Sequence, residues 1–118
     1  MVWTVVHVAG MLMLFAALGG VAALTQVAQP AGAKLYRALH GVALLVLLVA
    51  GFGALAQLGL SSPASWPAWV WGKVLIWLLF GAALTLVSRA GRRAGLVLVG
   101  LVLLGALAAW LARARPSF

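Results

Sequence analysis

Four stretches of this chain, roughly 2–24, 35–60, 68–87 and 94–111, stay apolar for longer than the buried face of a soluble fold requires. A helix needs about 20 predominantly apolar residues to cross roughly 30 Å of hydrocarbon. Each stretch meets that length, and together they take up most of the 118 residues, of which 67% are hydrophobic. Within lipid every backbone N–H and C=O must be satisfied inside its own segment, which favours helices. The expected fold is therefore all-α, an integral membrane antiparallel four-helix bundle forming one domain over residues 1–118.

The breaks between the stretches carry the polar residues. The first span is expected to close at Thr25, Gln26, Gln29 and Pro30, with a short connection from Ala31 to Lys34. Ser61, Ser62, Pro63, Ser65 and Pro67 form the clearest loop, since proline and serine do not continue a lipid-facing helix. Ser88 to Arg93 make a basic turn, and Ala112 to Phe118 a tail. The first run starts at Val2 without a basic leader and does not end in a convincing small-residue cleavage site, so it reads as a retained helix rather than a signal peptide.

Charge sets the expected orientation. Lys34, Arg37, Arg89, Arg92 and Arg93 fall on one side, and Lys73, Arg113 and Arg115 on the other. The positive-inside rule places the first group in the cytoplasm, and both termini and the tryptophan-rich loop outside. The expected location is a bacterial cytoplasmic membrane, with the five cytoplasmic cations against lipid headgroups. Basic residues next to an anionic leaflet gain about 1 kcal/mol each. They occur in ones and twos at span ends rather than along a face, so the net charge of +8 does not point to nucleic acid.

The absence of Asp, Glu and Cys excludes carboxylate pairs, thiolate nucleophiles, disulfides and cysteine-rich metal sites. Ser88 has no GxSxG elbow and no acid to orient a base. Met11 and Met13 are two residues apart and lie on different helix faces, which speaks for packing rather than a thioether metal site. No metal site and no enzyme is expected. Without a carboxylate to couple protons or a polar stripe to line a pore, a transporter or channel is also disfavoured.

Ionisable residues within spans are functional candidates by default, which singles out His7, His40 and Lys73. At 1.5 Å per residue, His7 lies about 7 Å below the start of span one, and His40 a similar distance inside the opposite face. That separation, roughly 15 Å along the membrane normal, speaks against one haem clamped between both imidazoles. Single-histidine ligation of haem, a pigment or copper at His7 or His40 stays open. So does an interfacial histidine bonded to backbone, lipid or water. Lys73 starts span three on the side of His7, where it either snorkels to lipid phosphates or joins His7, Trp3, Thr4 and Trp71 in an outer pocket for an anionic or quinone-like headgroup.

Small residues recur along every span, notably Gly91, Gly95, Gly100 and Gly105 around span four. They let helices approach closely, either inside the bundle or along a stripe facing a partner helix. At an offset of 33, Trp3 matches Tyr36, His7 matches His40 and Gly20 matches Gly53, a weak sign of internal duplication.

The segments RALHGVALLVLLVAGFGAL (37–55) and PAWVWGKVLIWLLFGAAL (67–84) resemble the SirB-type small four-helix bacterial inner-membrane proteins. The resemblance covers most of the chain. In that pattern span one carries an early histidine, span two opens with a histidine before a leucine-rich run ending in glycine, and span three opens with a lysine. His7, His40 and Lys73 stand at those positions. An Asp-Thr pair of the pattern's second span is replaced here by apolar residues after His40. Copper-resistance D-like membrane proteins share the Leu-His helix start. SirB-type proteins are described as regulators of invasion gene expression without an established chemistry, so the resemblance implies a fold more than a mechanism.

The resulting expectation is an accessory or structural subunit that packs against the lipid bilayer and against other membrane subunits or itself. The alternative is a cofactor-binding membrane protein holding haem, a pigment, copper or a quinone through His7 or His40.

Overall fold

The computed structural model describes residues 1–27 and 32–115, and over these the chain is helical, without strands. Helix α1 spans Val2–Leu24, α2 Ala33–Gln57, α3 Ala68–Arg89 and α4 Ala94–Ala114. Single 3-10 turns, Pro63–Ser65 and Gly91–Arg93, sit in the last two connections. Each of the four helices is long and apolar enough to cross a membrane. The chain is thus a multi-pass membrane protein folded as an all-α bundle of 49 × 26 × 21 Å. Successive helices run antiparallel, so Met1, Gln57, Ala68 and Arg115 share one end, here the tryptophan end. The turn Gly91–Arg93 marks the other, basic end.

Helix α1 has the expected bounds. Its close is polar: Thr25 Oγ1 donates to the Ala22 carbonyl at 2.6 Å, and Gln26 Nε2 to the Gly91 carbonyl at 2.7 Å. Gln29 and Pro30 lie outside the described residues, as does the tail beyond Arg115. Helix α2 ends at Gln57 rather than near residue 60, because Gly59 takes a left-handed conformation (φ 76°). The Gly59 N–H bonds Ala56 O and the Leu60 N–H bonds Leu55 O, a Schellman closure that satisfies the last carbonyls. Helix α3 runs two residues past the expected Val87, and α4 continues past Leu111 to Ala114. There Arg115 turns left-handed (φ 44°) and bonds Leu111 O through its N–H.

The core is a column of Leu14 and Leu18 from α1, Ala43 and Leu47 from α2, Phe80, Ala83 and Val87 from α3, and Leu101 from α4. Because lipid tails are as apolar as leucine, these residues hold the bundle by close packing rather than by leaving water. The many large apolar side chains exposed on the outside, among them Leu12, Leu45, Leu78, Leu96 and Leu103, are what a lipid-facing surface consists of.

Helices α1 and α2 meet through glycine at both ends. A Cβ on Gly53 would collide with the Trp3 indole, and one on Gly20 with the Tyr36 ring. The residues matched at the offset of 33 therefore meet crosswise: the aromatic of each helix lies on the glycine of the other. Near the middle, a Cβ on Gly10 would stand 3.1 Å from Leu47 and Val46 side-chain atoms. Span four behaves differently. Gly105 faces Phe15 and Met11, whereas Gly95 and Gly100 look into open space. A spacing of five turns each glycine about 140° from the last, so they form no single stripe.

Gly20→Val and Gly53→Val must each displace an aromatic ring and are expected to lower stability by about 1 kcal/mol, the low end of overpacking costs. Gly19→Val and Gly51→Val, with nothing within 4 Å, serve as controls. Thermal unfolding in mild detergent reads the difference, and equal midpoints for the four variants would contradict it.

Candidate functional site

At the tryptophan end residues of all four helices line a cavity of about 550 Å³. The loop after α2 shapes its mouth. Pro63 opens the 3-10 turn, Ser65 Oγ donates to Ser62 O at 2.7 Å, and Trp66 is held extended ahead of Pro67, as a residue before proline prefers. The Trp66 indole N–H donates to the Leu60 carbonyl at 2.7 Å, folding the ring back over the end of α2. There it stacks on Phe52 with a 6.0 Å centroid separation. Pro67 occupies the N-cap position of α3, where the missing N–H costs little.

Below the mouth, α3 sends Trp69, Lys73 and Trp77 into the cavity. Spaced by four, they lie along one helix face. Helix α1 contributes Trp3, Thr4 and His7, and Met11 lies deeper. His7 and Lys73 each stand five residues into parallel helices, which puts them at one depth. Leu47 of α2 and Phe80 of α3 form the floor, and Ala108 and Ala112 of α4 the remaining wall.

Trp3, Thr4, His7 and Lys73 thus come together as the sequence placed them, whereas Trp71 does not line the cavity. Trp71 is two residues from Lys73, near the opposite side of α3; it is half exposed and touches Trp66 with ring centroids 5.1 Å apart. Five residues not expected in the pocket also line the cavity, Trp66, Trp69, Trp77, Arg113 and Arg115, while Trp110 is half exposed on the outside of the bundle. The spacing of Trp69 and Trp77 about Lys73 was the available signal for the tryptophans. The arginines depended on α4 running a turn further than expected. The Arg115 guanidinium lies 5.7 Å from the Trp69 ring centroid, a cation–π arrangement, and its Nε donates to Ala112 O at 3.1 Å.

His40 belongs elsewhere. Expected near an interface, it is enclosed between helices and only 3% exposed. Its Nε2–H donates to the Phe80 carbonyl at 3.0 Å. One turn along, the Trp77 indole N–H donates to the Leu44 carbonyl at 3.1 Å, so α2 and α3 each give the other one side-chain donor. A helical carbonyl has a second lone pair free for such a bond. This reciprocal clasp accounts for His40, and of the two histidines only His7 reaches the cavity among the described residues. At the basic end Lys34, Arg37, Arg89, Arg92 and Arg93 are all exposed. Ser88 Oγ is engaged with Leu84 O at 2.7 Å.

The cavity combines an aromatic wall, one imidazole and three cations in a chain that has no acidic side chain. It has the means to enclose an apolar body and to hold an acceptor group at its mouth. Comparisons with family models, curated proteins and solved structures find no match, so the SirB-type resemblance rests on the residues quoted for it.

Proposed function

We propose that this protein is a non-enzymatic membrane component that holds an amphiphilic molecule in the cavity at its tryptophan end. The observation that carries this reading is the cavity itself: about 550 Å³, aromatic-walled, with polar groups from three helices at one end. Ligand sites of roughly 300–1,000 Å³, mostly apolar and with a few convergent polar groups, are the usual form of small-molecule pockets. Without carboxylate or thiol, binding rather than catalysis is what such a site offers.

In this reading the protein acts as an accessory subunit in a bacterial cytoplasmic membrane, packing its exposed leucine faces against lipid and neighbouring membrane proteins. The five exposed cations of the basic end favour the cytoplasmic side for that end and the outer side for the cavity. His7 is then the histidine that meets the bound molecule, a quinone-like or anionic headgroup being the chemistry its neighbours accommodate.

Filling the cavity tests the reading. Ala108→Trp places an indole where α4 lines the cavity, while Val99→Trp adds the same ring on the exposed face of α4. Mass spectrometry of lipids and quinones retained through detergent purification is expected to show a bound amphiphile on the wild type and on Val99→Trp, with retention reduced about tenfold in Ala108→Trp. Retention unchanged by the filled cavity would overturn the proposal.

A further inference from the structure

The charges around the cavity bear on which head the bound molecule carries. We propose, building on the ligand-binding reading above, that the occupant is a single-chain amphiphile with an oxyanion head, a carboxylate or a phosphate monoester, held between Lys73 and the Arg113–Arg115 pair. These three cations come from two helices and line one cavity. No acidic side chain exists in the chain to balance them.

Backbone dipoles do not alter the sign. Helices α1 and α3 begin at this end and α2 and α4 finish there, so their partial charges largely cancel and the side chains decide. Arg115 is held in place: its left-handed backbone turns the chain, its Nε is engaged by Ala112 O, and its guanidinium lies over Trp69. The amino groups of the fork are then what an oxyanion meets, in the geometry that suits arginine best. Lys73 stands about 7 Å into α3, below the arginines at the end of α4. The cations therefore define a path from mouth to interior.

A neutral head does not fit this arrangement as well. Filling the cavity expels water from around the Lys73 ammonium, and a desolvated charge without a partner is strongly unfavourable. An oxyanion supplies that partner. The volume of about 550 Å³ is that of a small-molecule site, which suits one chain rather than the two of a phospholipid.

Four of the six tryptophans line the cavity, so intrinsic fluorescence reads occupancy. Dibrominated stearate and the matching dibrominated stearyl alcohol, titrated into delipidated protein in nonionic detergent, carry the same quencher on an anionic and a neutral head. Stearate is expected to quench saturably and to bind about tenfold more tightly than the alcohol. That preference is expected to vanish in Lys73→Gln and in Arg113→Gln/Arg115→Gln, with helix content unchanged by circular dichroism. It is expected to persist in Arg92→Gln/Arg93→Gln at the basic end.

Saturable quenching of equal affinity by both probes would overturn the oxyanion head while leaving the binding reading intact. A preference that survives in the Lys73 and arginine variants would overturn the assignment of these residues. Displacement of stearate by inorganic phosphate alone would transfer the site to a free anion. No saturable quenching by either probe would remove the binding reading itself.

Discussion

Phe80→Ala is expected to lower the stability of the bundle by about 3 kcal/mol, the largest loss for a single substitution here. In water, Phe→Ala in a core costs about 3–5 kcal/mol. In a bilayer the separated helices already hold the ring in an apolar solvent, so the transfer part falls away and the packing part remains. Phe80 is 3% exposed and makes an edge-to-face contact with Phe15 at 5.5 Å between centroids, a pair worth about 1 kcal/mol beyond its area. Its ring also forms part of the cavity floor. Thermal or denaturant unfolding in detergent measures the loss, and Leu79→Ala on the exposed side of the same helix is expected to cost far less. Similar losses at both positions would mean that Phe80 is not a packing centre.

The second large effect is expected from removing the clasp between α2 and α3. His40→Leu/Trp77→Phe keeps most of the apolar volume and deletes both donors, His40 Nε2–H to Phe80 O and Trp77 Nε1–H to Leu44 O. Interhelical hydrogen bonds in membranes contribute about 0.6–2 kcal/mol each, so the pair is expected to cost about 2 kcal/mol. The penalty is not larger because both carbonyls keep their places in the helical ladder. The cycle of single and double variants measures coupling: the two donors join the same pair of helices one turn apart, and losses that do not add are the expected sign of one structural unit. Strictly additive losses would show two separate contacts.

Positions along each helix were largely legible in the sequence, and rotations about each helix axis largely were not. An apolar run reports the length and ends of a helix, which is why α1 is found at Val2–Leu24 as expected and why His7 and Lys73 stand at one level, with Trp3 and Thr4 about a turn nearer the mouth. In water a polar face would show which way each helix turns. In lipid all faces are apolar, so nothing in composition separated Trp71 from Trp69 and Trp77; only the spacing relative to Lys73 did. His40 shows a further limit: expected near an interface, it is enclosed between helices and bonded to the carbonyl of Phe80, near the middle of α3. The ends of α2 and α4 shifted because backbone closure at Gly59 and Arg115, rather than hydropathy, terminates them.

One property of the cavity reaches beyond its contents. Its walls come from all four helices, with Trp3 on α1, Leu47 on α2, Lys73 on α3 and Ala108 on α4, so the space between them exists only when the four are assembled. Anything that binds there binds the native arrangement and not the separated spans. By linkage, an occupant at 100 times its dissociation constant adds about 2.7 kcal/mol to the free energy of taking the bundle apart. An occupied cavity would therefore make the bundle's resistance to unfolding rise with the supply of its occupant.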